Sequence, residues 1–132
     1  MLGRRGVRWG QLVEMASVYP GVVTKSSYGT PGIYDVGRKF MARLREPDVM
    51  VLTPVYEDEQ RFLMETSPET FFLTDHYRGY PAILVRLSKV QWGQPAELVE
   101  ESWRRLAGKR VVAAYDVDRE LGIESKRAHR DR

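Results

Sequence analysis

His76 stands among groups that could help an imidazole do chemistry: Asp75 precedes it, and Tyr77, Arg78 and Tyr80 follow. A histidine changes charge in the neutral pH range, so it can serve as a general base or a pH switch. It can equally cap a turn by hydrogen bonding to backbone. A second cluster, Tyr28-Gly29-Thr30-Pro31, pairs a hydroxyl that could hold a turn or a ligand with a glycine that permits close backbone approach. Cations supply the third ingredient. Residues 37–45 carry Arg38, Lys39, Arg43 and Arg45 with no acid, and residues 77–90 carry Arg78, Arg86 and Lys89 with no acid. Tyr28, Thr30, Lys39, Arg43, His76 and Tyr77 could converge at one sheet edge as a shallow pocket for an anion.

Several chemistries lack their residues. With no cysteine there is no disulfide, thiolate metal site or thiol nucleophile. One histidine among scattered acids does not make a zinc site, which needs about four spaced ligands. There is no P-loop, dinucleotide fingerprint or Gly-x-Ser-x-Gly elbow. An enzyme using His76 as base would lack an accompanying nucleophile or metal, so a non-enzymatic protein without a cofactor is expected.

Length and composition bound the rest. The 132 residues suffice for one domain with a proper core, and 42% hydrophobic with 30% charged residues is ordinary globular content. No apolar run approaches the roughly 20 residues that cross a bilayer. Arg4, Arg5 and Arg8 have no apolar segment behind them, so a secretory signal is not expected, and a cytoplasmic location is. The net charge of +3 resides in those three arginines, because residues 9–115 hold 13 basic and 13 acidic side chains and residues 116–132 hold 5 of each. The chain is polarised, not basic: Glu57, Asp58, Glu59, Glu65 and Glu69 gather against Arg61 alone.

The elements that must position these groups follow from periodicity. Trp9, Leu12, Val13 and Ala16 predict a helix with one buried face, stopped at Tyr19-Pro20-Gly21. Residues 22–27, 33–36, 39–45 and 49–53 predict four strands joined by short turns. A second helix is expected over 57–65, with its acids at the dipole-favoured N-terminus and Phe62 and Leu63 buried. Ser67-Pro68-Glu69 reads as a short helical piece, and residues 71–74 and 82–87 as strands flanking the aromatic turn. A last long helix starts at Pro95 with Leu98, Val99, Ser102, Trp103 and Leu106 on one face, and Gly108 stops it. Residues 111–115 could add one helical turn. The ordered core is expected over about 7–120, with mobile termini. Trp9 and Trp103 read as core.

Ser27-Tyr-Gly-Thr-Pro31 running into residues 36–44, and Phe72-Leu-Thr-Asp-His-Tyr-Arg-Gly-Tyr-Pro81, together resemble the MmcQ/YjbR family of small bacterial domains. His76, Tyr77, Gly79, Tyr80 and Pro81 match that family's His-Tyr-x-Gly-Tyr-Pro signature, and the resemblance runs from about Trp9 to Tyr115. It implies an α+β, two-layer fold: a frataxin-like antiparallel sheet with helices on one face, which the element order independently suggests. It also implies a proposed DNA-binding role. The fold invites an iron-handling reading, but that relies on an acidic ridge along the first helix, where only Glu14 stands here.

If helices cover one sheet face, strand alternation decides what lines the other. Phe40, Ala42 and Leu44 should meet the helices and leave Lys39, Met41, Arg43 and Arg45 outside; Ile83, Val85 and Leu87 should be core and leave Ala82, Leu84 and Arg86 outside. The leading expectation is a monomer that binds DNA weakly and salt-sensitively. Lys39, Arg43 and Arg86, with Arg38, Arg45 and Arg78, would meet phosphates; Tyr28 and Tyr77 would meet sugars or bases. The alternative is a module for a small anion or protein partner built on Tyr28, Thr30, His76, Tyr77 and Tyr80. Cations spread over the face favour the first reading; cations gathered around His76 favour the second.

Overall fold

The computed structural model describes residues 5–27, 30–35 and 39–130, and the side chains of residues 5–26, 30–35 and 39–122. Helix α1 (Trp9–Ser17) is followed by β1 (Val23–Ser27), β2 (Thr30–Tyr34), β3 (Phe40–Glu46) and β4 (Val49–Leu52). Then come α2 (Glu57–Thr66), β5 (Phe71–Phe72), a single 3-10 turn (Asp75–Tyr77), β6 (Ile83–Arg86), α3 (Gln94–Leu106) and α4 (Lys109–Arg130). The strands form one antiparallel sheet in the order β1-β2-β3-β4-β6-β5. This is the expected α+β architecture.

Cross-strand partners share a sheet face, so the register sorts the side chains. One rung runs Thr24, Ile33, Ala42, Leu52, Ile83, and a neighbouring one joins Leu44, Met50, Val85 and Phe71. From Ile33 onward these apolar residues form the main core with Leu12 and Ala16 of α1, Leu63 of α2, and Leu98, Val99 and Trp103 of α3. Trp103 anchors it: its ring is fully buried, stacks on Tyr19 with centroids 4.9 Å apart, and donates Nε1–H to the Pro20 carbonyl at 3.0 Å. Tyr115 of α4 closes on the Trp103 ring edgewise at 5.1 Å.

Two features depart from simple alternation. Ile33 faces Ala42 but Tyr34 faces Phe40, so Met41 is an extra residue in β3. Such a bulge puts two successive side chains on one side of the strand. Met41 therefore enters the core, and Phe40 turns to the opposite face; both reverse the expectation from alternation. In α2, Phe62 is 63% exposed, while Gln60 is buried with Leu63. The Gln60 amide donates to the carbonyls of Val55, Tyr80 and Ala82 at 2.8–3.0 Å, which holds α2 against the end of the aromatic turn. A phenylalanine cannot satisfy those carbonyls, so the polar residue takes the inner position.

The C-terminus also differs. The backbone stays helical from Lys109 to Arg130, where a brief turn and then a mobile tail were expected. Ala113, Ala114, Arg119, Glu120 and their neighbours are good helix formers, and no proline interrupts them. Propensity therefore carries a helix that lacks a long apolar stripe. No helix of the described residues is long and apolar enough to cross a membrane.

Candidate functional site

The second sheet face carries no helix among the described residues. Its central rung joins Lys25, Gly32, Arg43, Val51, Leu84 and Phe72 across all six strands. The middle of this face is covered, not open. Val49, Val51, Ala82 and Leu84 form a second buried cluster beneath Phe40, Phe72, Leu73 and Tyr77. Leu84 is fully buried and Ala82 nearly so, against the expectation that both face solvent. The reason is the aromatic turn. After the two-residue strand β5 the chain doubles back through the 3-10 turn, with Tyr77 N–H bonded to the Thr74 carbonyl and Tyr80 N–H to the Tyr77 carbonyl. Gly79 takes φ +84°, a left-handed geometry that glycine adopts without steric cost, and the chain then returns into β6.

Cations flank this cover, and each meets an aromatic side chain, at its ring or at its hydroxyl. The Arg43 Nη2 donates to the Tyr77 hydroxyl at 2.9 Å. The Arg45 guanidinium sits over the Tyr77 ring, 5.9 Å from its centroid, and that of Arg86 over Phe72 at 4.0 Å. The Lys25 ammonium lies over the Tyr34 ring at 4.5 Å. Gly32 permits this last arrangement, because a Cβ there would lie 2.8 Å from the Tyr34 ring. Such contacts hold a cation in place while leaving its outer N–H groups for another partner. Among the described residues, none of Lys25, Arg43, Arg45 and Arg86 forms an ion pair with a carboxylate.

The remaining candidates scatter. Lys39 leaves the face altogether: its Nζ donates to the Leu106 carbonyl at 2.8 Å and caps the end of α3. The bulge at Met41 breaks the alternation that would have placed Lys39 beside Arg43. Arg78 is exposed and paired with Asp75 at 3.1 Å. His76 is exposed and meets Tyr77 edgewise at 4.8 Å. Thr30 pairs with Ser27 at the closing end of the β1–β2 hairpin. Tyr80, 62% exposed, lines a groove of about 590 Å³ against α2, with Tyr56, Gln60, Met64 and Leu73. Tyr28 and Arg38 lie outside the described residues. Lys25 was missed by sequence reasoning. Its signal was available: it lies two residues from Val23 on β1, within hairpin reach of Gly32.

Similarity to other proteins bears on the whole arrangement. The YjbR family matches residues 18–105, which take in the sheet, the aromatic turn and most of α3. The chain belongs to the YjbR family. Uncharacterised proteins of Mycobacterium bovis and Mycobacterium tuberculosis are each 33% identical to it over 103 residues, covering 64% of this chain and 80% of theirs. No solved structure matches it. The YjbR match thus spans the bulged strand, the turn that covers the face and all four cations, Lys25, Arg43, Arg45 and Arg86.

Proposed function

We propose that this YjbR-family chain is a non-enzymatic nucleic-acid-binding protein that takes DNA on its helix-free sheet face. The observation that carries the reading is a set of four cations without carboxylate partners among the described residues: Lys25, Arg45 and Arg86 held over aromatic rings, and Arg43 held by the Tyr77 hydroxyl. Four positive groups on one surface repel one another, and a polyanion relieves that repulsion while releasing its counterions. They spread from β1 to β6, with Arg43 and Arg45 at Tyr77 beside His76 and Lys25 and Arg86 on other rings, and this spread favours a strand-like polyanion over a small anion. Among the described residues no α-helix lies on this face to enter a major groove, so contacts would go chiefly to phosphates, with little sequence preference.

The test is fluorescence anisotropy with labelled duplex and single-stranded DNA at low and physiological salt. Binding should weaken steeply with salt, with a logarithmic slope of about −3 to −4 on duplex if all four cations meet phosphates. The double variant Arg43→Ala/Arg86→Ala should bind more weakly and lose about 2 from that slope, at an unchanged far-ultraviolet spectrum. No binding at low salt would overturn the reading.

A further inference from the structure

We propose that Arg43, Tyr77 and Arg45 form a subsite for a single phosphoryl group, with the Tyr77 hydroxyl as a donor between two guanidinium groups. The subsite deepens the nucleic-acid reading by naming where one phosphate sits. The Tyr77 oxygen accepts from Arg43 Nη2 at 2.9 Å, so its own hydrogen is left to point at an acceptor. Arg45 lies over the same ring. Two guanidinium groups are thus assembled on one phenol, one at its hydroxyl and one on its face.

Arginine carries five N–H donors in a planar fork that matches phosphate oxygens. Arg43 gives one of them to the Tyr77 phenol and none to a carboxylate among the described residues; its Nε–H is buried and unpartnered, so the remaining Nη N–H groups are those an anion can reach. Asp75, the acid of the same turn, is taken up by Arg78. An anion is therefore the missing partner of this pair of charges.

The frame is already in place. Arg43 sits mid-strand in β3, paired with Gly32 on one side and Val51 on the other. The Tyr77 ring is held against the cluster of Val49, Val51, Ala82 and Leu84. Arg45 is the extra residue of a second bulge, since Leu44 faces Met50 and Glu46 faces Val49. Alternation already puts Arg45 on the face of Arg43, and the bulge adds Glu46, opposite Val49, to that face without pairing it to either arginine. A site assembled before its ligand arrives loses little to reorganisation.

The experiment titrates the full chain with inorganic phosphate while following the arginine Nε–H signals by nuclear magnetic resonance, with chloride at matched ionic strength as the control. Phosphate should move the Arg43 and Arg45 signals, and Tyr77→Phe should weaken that response about tenfold, the worth of one hydrogen bond to a charged group. Arg45→Gln, an exposed position, gives the same readout if Tyr77→Phe fails to fold. Phosphate shifts no larger than those from chloride, or shifts that persist unchanged in both variants, overturn the subsite. Anisotropy on the same samples separates the two readings. DNA binding that survives a negative phosphate result leaves the nucleic-acid reading standing without this subsite. Phosphate binding without DNA binding keeps the subsite, for some other phosphorylated ligand, and removes the nucleic-acid reading.

Discussion

Arginines occupy two regions of this molecule in opposite electrostatic settings. On α3, Arg104 lies between Glu100 at 3.0 Å and Asp116 of α4 at 2.8 Å, and Arg105 between Glu59 of α2 at 2.6 Å and Glu101 at 3.4 Å. Arg105 also donates to the Pro54 carbonyl at 2.9 Å. On the helix-free face, Arg43, Arg45 and Arg86 rest on Tyr77 and Phe72, with no carboxylate partner among the described residues. The same side chain thus does two jobs. Where its charge is balanced it ties elements together; where it is unbalanced and fixed on a ring it is offered to something outside the fold. Lys39 fits neither class: its ammonium has a carbonyl partner, Leu106, and ties the start of β3 to the end of α3, whereas Arg86 keeps its place over Phe72 while one N–H meets the Glu69 carbonyl at 3.3 Å.

The helix side breaks hardest at Trp103. Trp103→Ala should cost about 3–5 kcal/mol, as for large buried aromatics, read as a lower denaturation midpoint in urea. If the two regions are as separate as the comparison holds, the folded fraction should still bind DNA like the parent. A change in affinity per folded molecule would show that the helices govern the sheet face.

Arg105→Ala is the sharper test on the helix side. It removes a half-buried guanidinium that joins α2, α3 and the Pro54 carbonyl, with an expected cost of about 1–3 kcal/mol and no change in the salt slope of DNA binding. The double alanine variant of Arg43 and Arg86 should do the reverse. Equal effects of both on binding would erase the distinction.

The smallest effect is set by pH. Arg104 holds the Glu100 carboxyl below its ordinary range through a direct hydrogen bond, and does the same to Asp116. Both carboxyls are lower in the folded state, so their contribution is fully present above the unfolded value near 4 and is lost as pH falls through the folded values. At the other extreme, burial and the neighbouring Glu100 push Tyr19 up to about 12. Its contribution is present below pH 10 and fades as pH rises toward 12. Thermal midpoints of the parent and Arg104→Met should therefore differ most between pH 5 and 9 and converge as the solution is acidified below about 4. A gap that is constant with pH would mean that Arg104 acts through packing alone.

Much of the frame was legible from residue types. The apolar spacing of α1 and α3, the four early strands and the turn at Gly79 all follow from local rules, because one buried face imposes one period. The misreadings have specific causes. Alternation failed in β3 because a bulge adds a residue without changing the local pattern of residue types, and it took Met41, Phe40 and Lys39 with it. Phe62 and Gln60 exchanged expected places because three backbone carbonyls near α2 needed a donor, a demand set by residues up to 22 positions away. The long α4 was hidden because its helicity rests on propensity and not on an apolar stripe.

Residue types and their spacing were enough for the class of fold, the family and the supply of cations and aromatic side chains. They sufficed because composition and short-range periodicity are local properties, and the family motifs lie in two short segments. Which cations share a surface, the closing of the aromatic turn over the sheet, and the place of Lys25 rather than Lys39 on the rung of Arg43 emerge from the folded arrangement. Those outcomes depend on register across six strands, and a single extra residue reverses the side chains on one flank of it relative to the other, as Met41 does to Phe40.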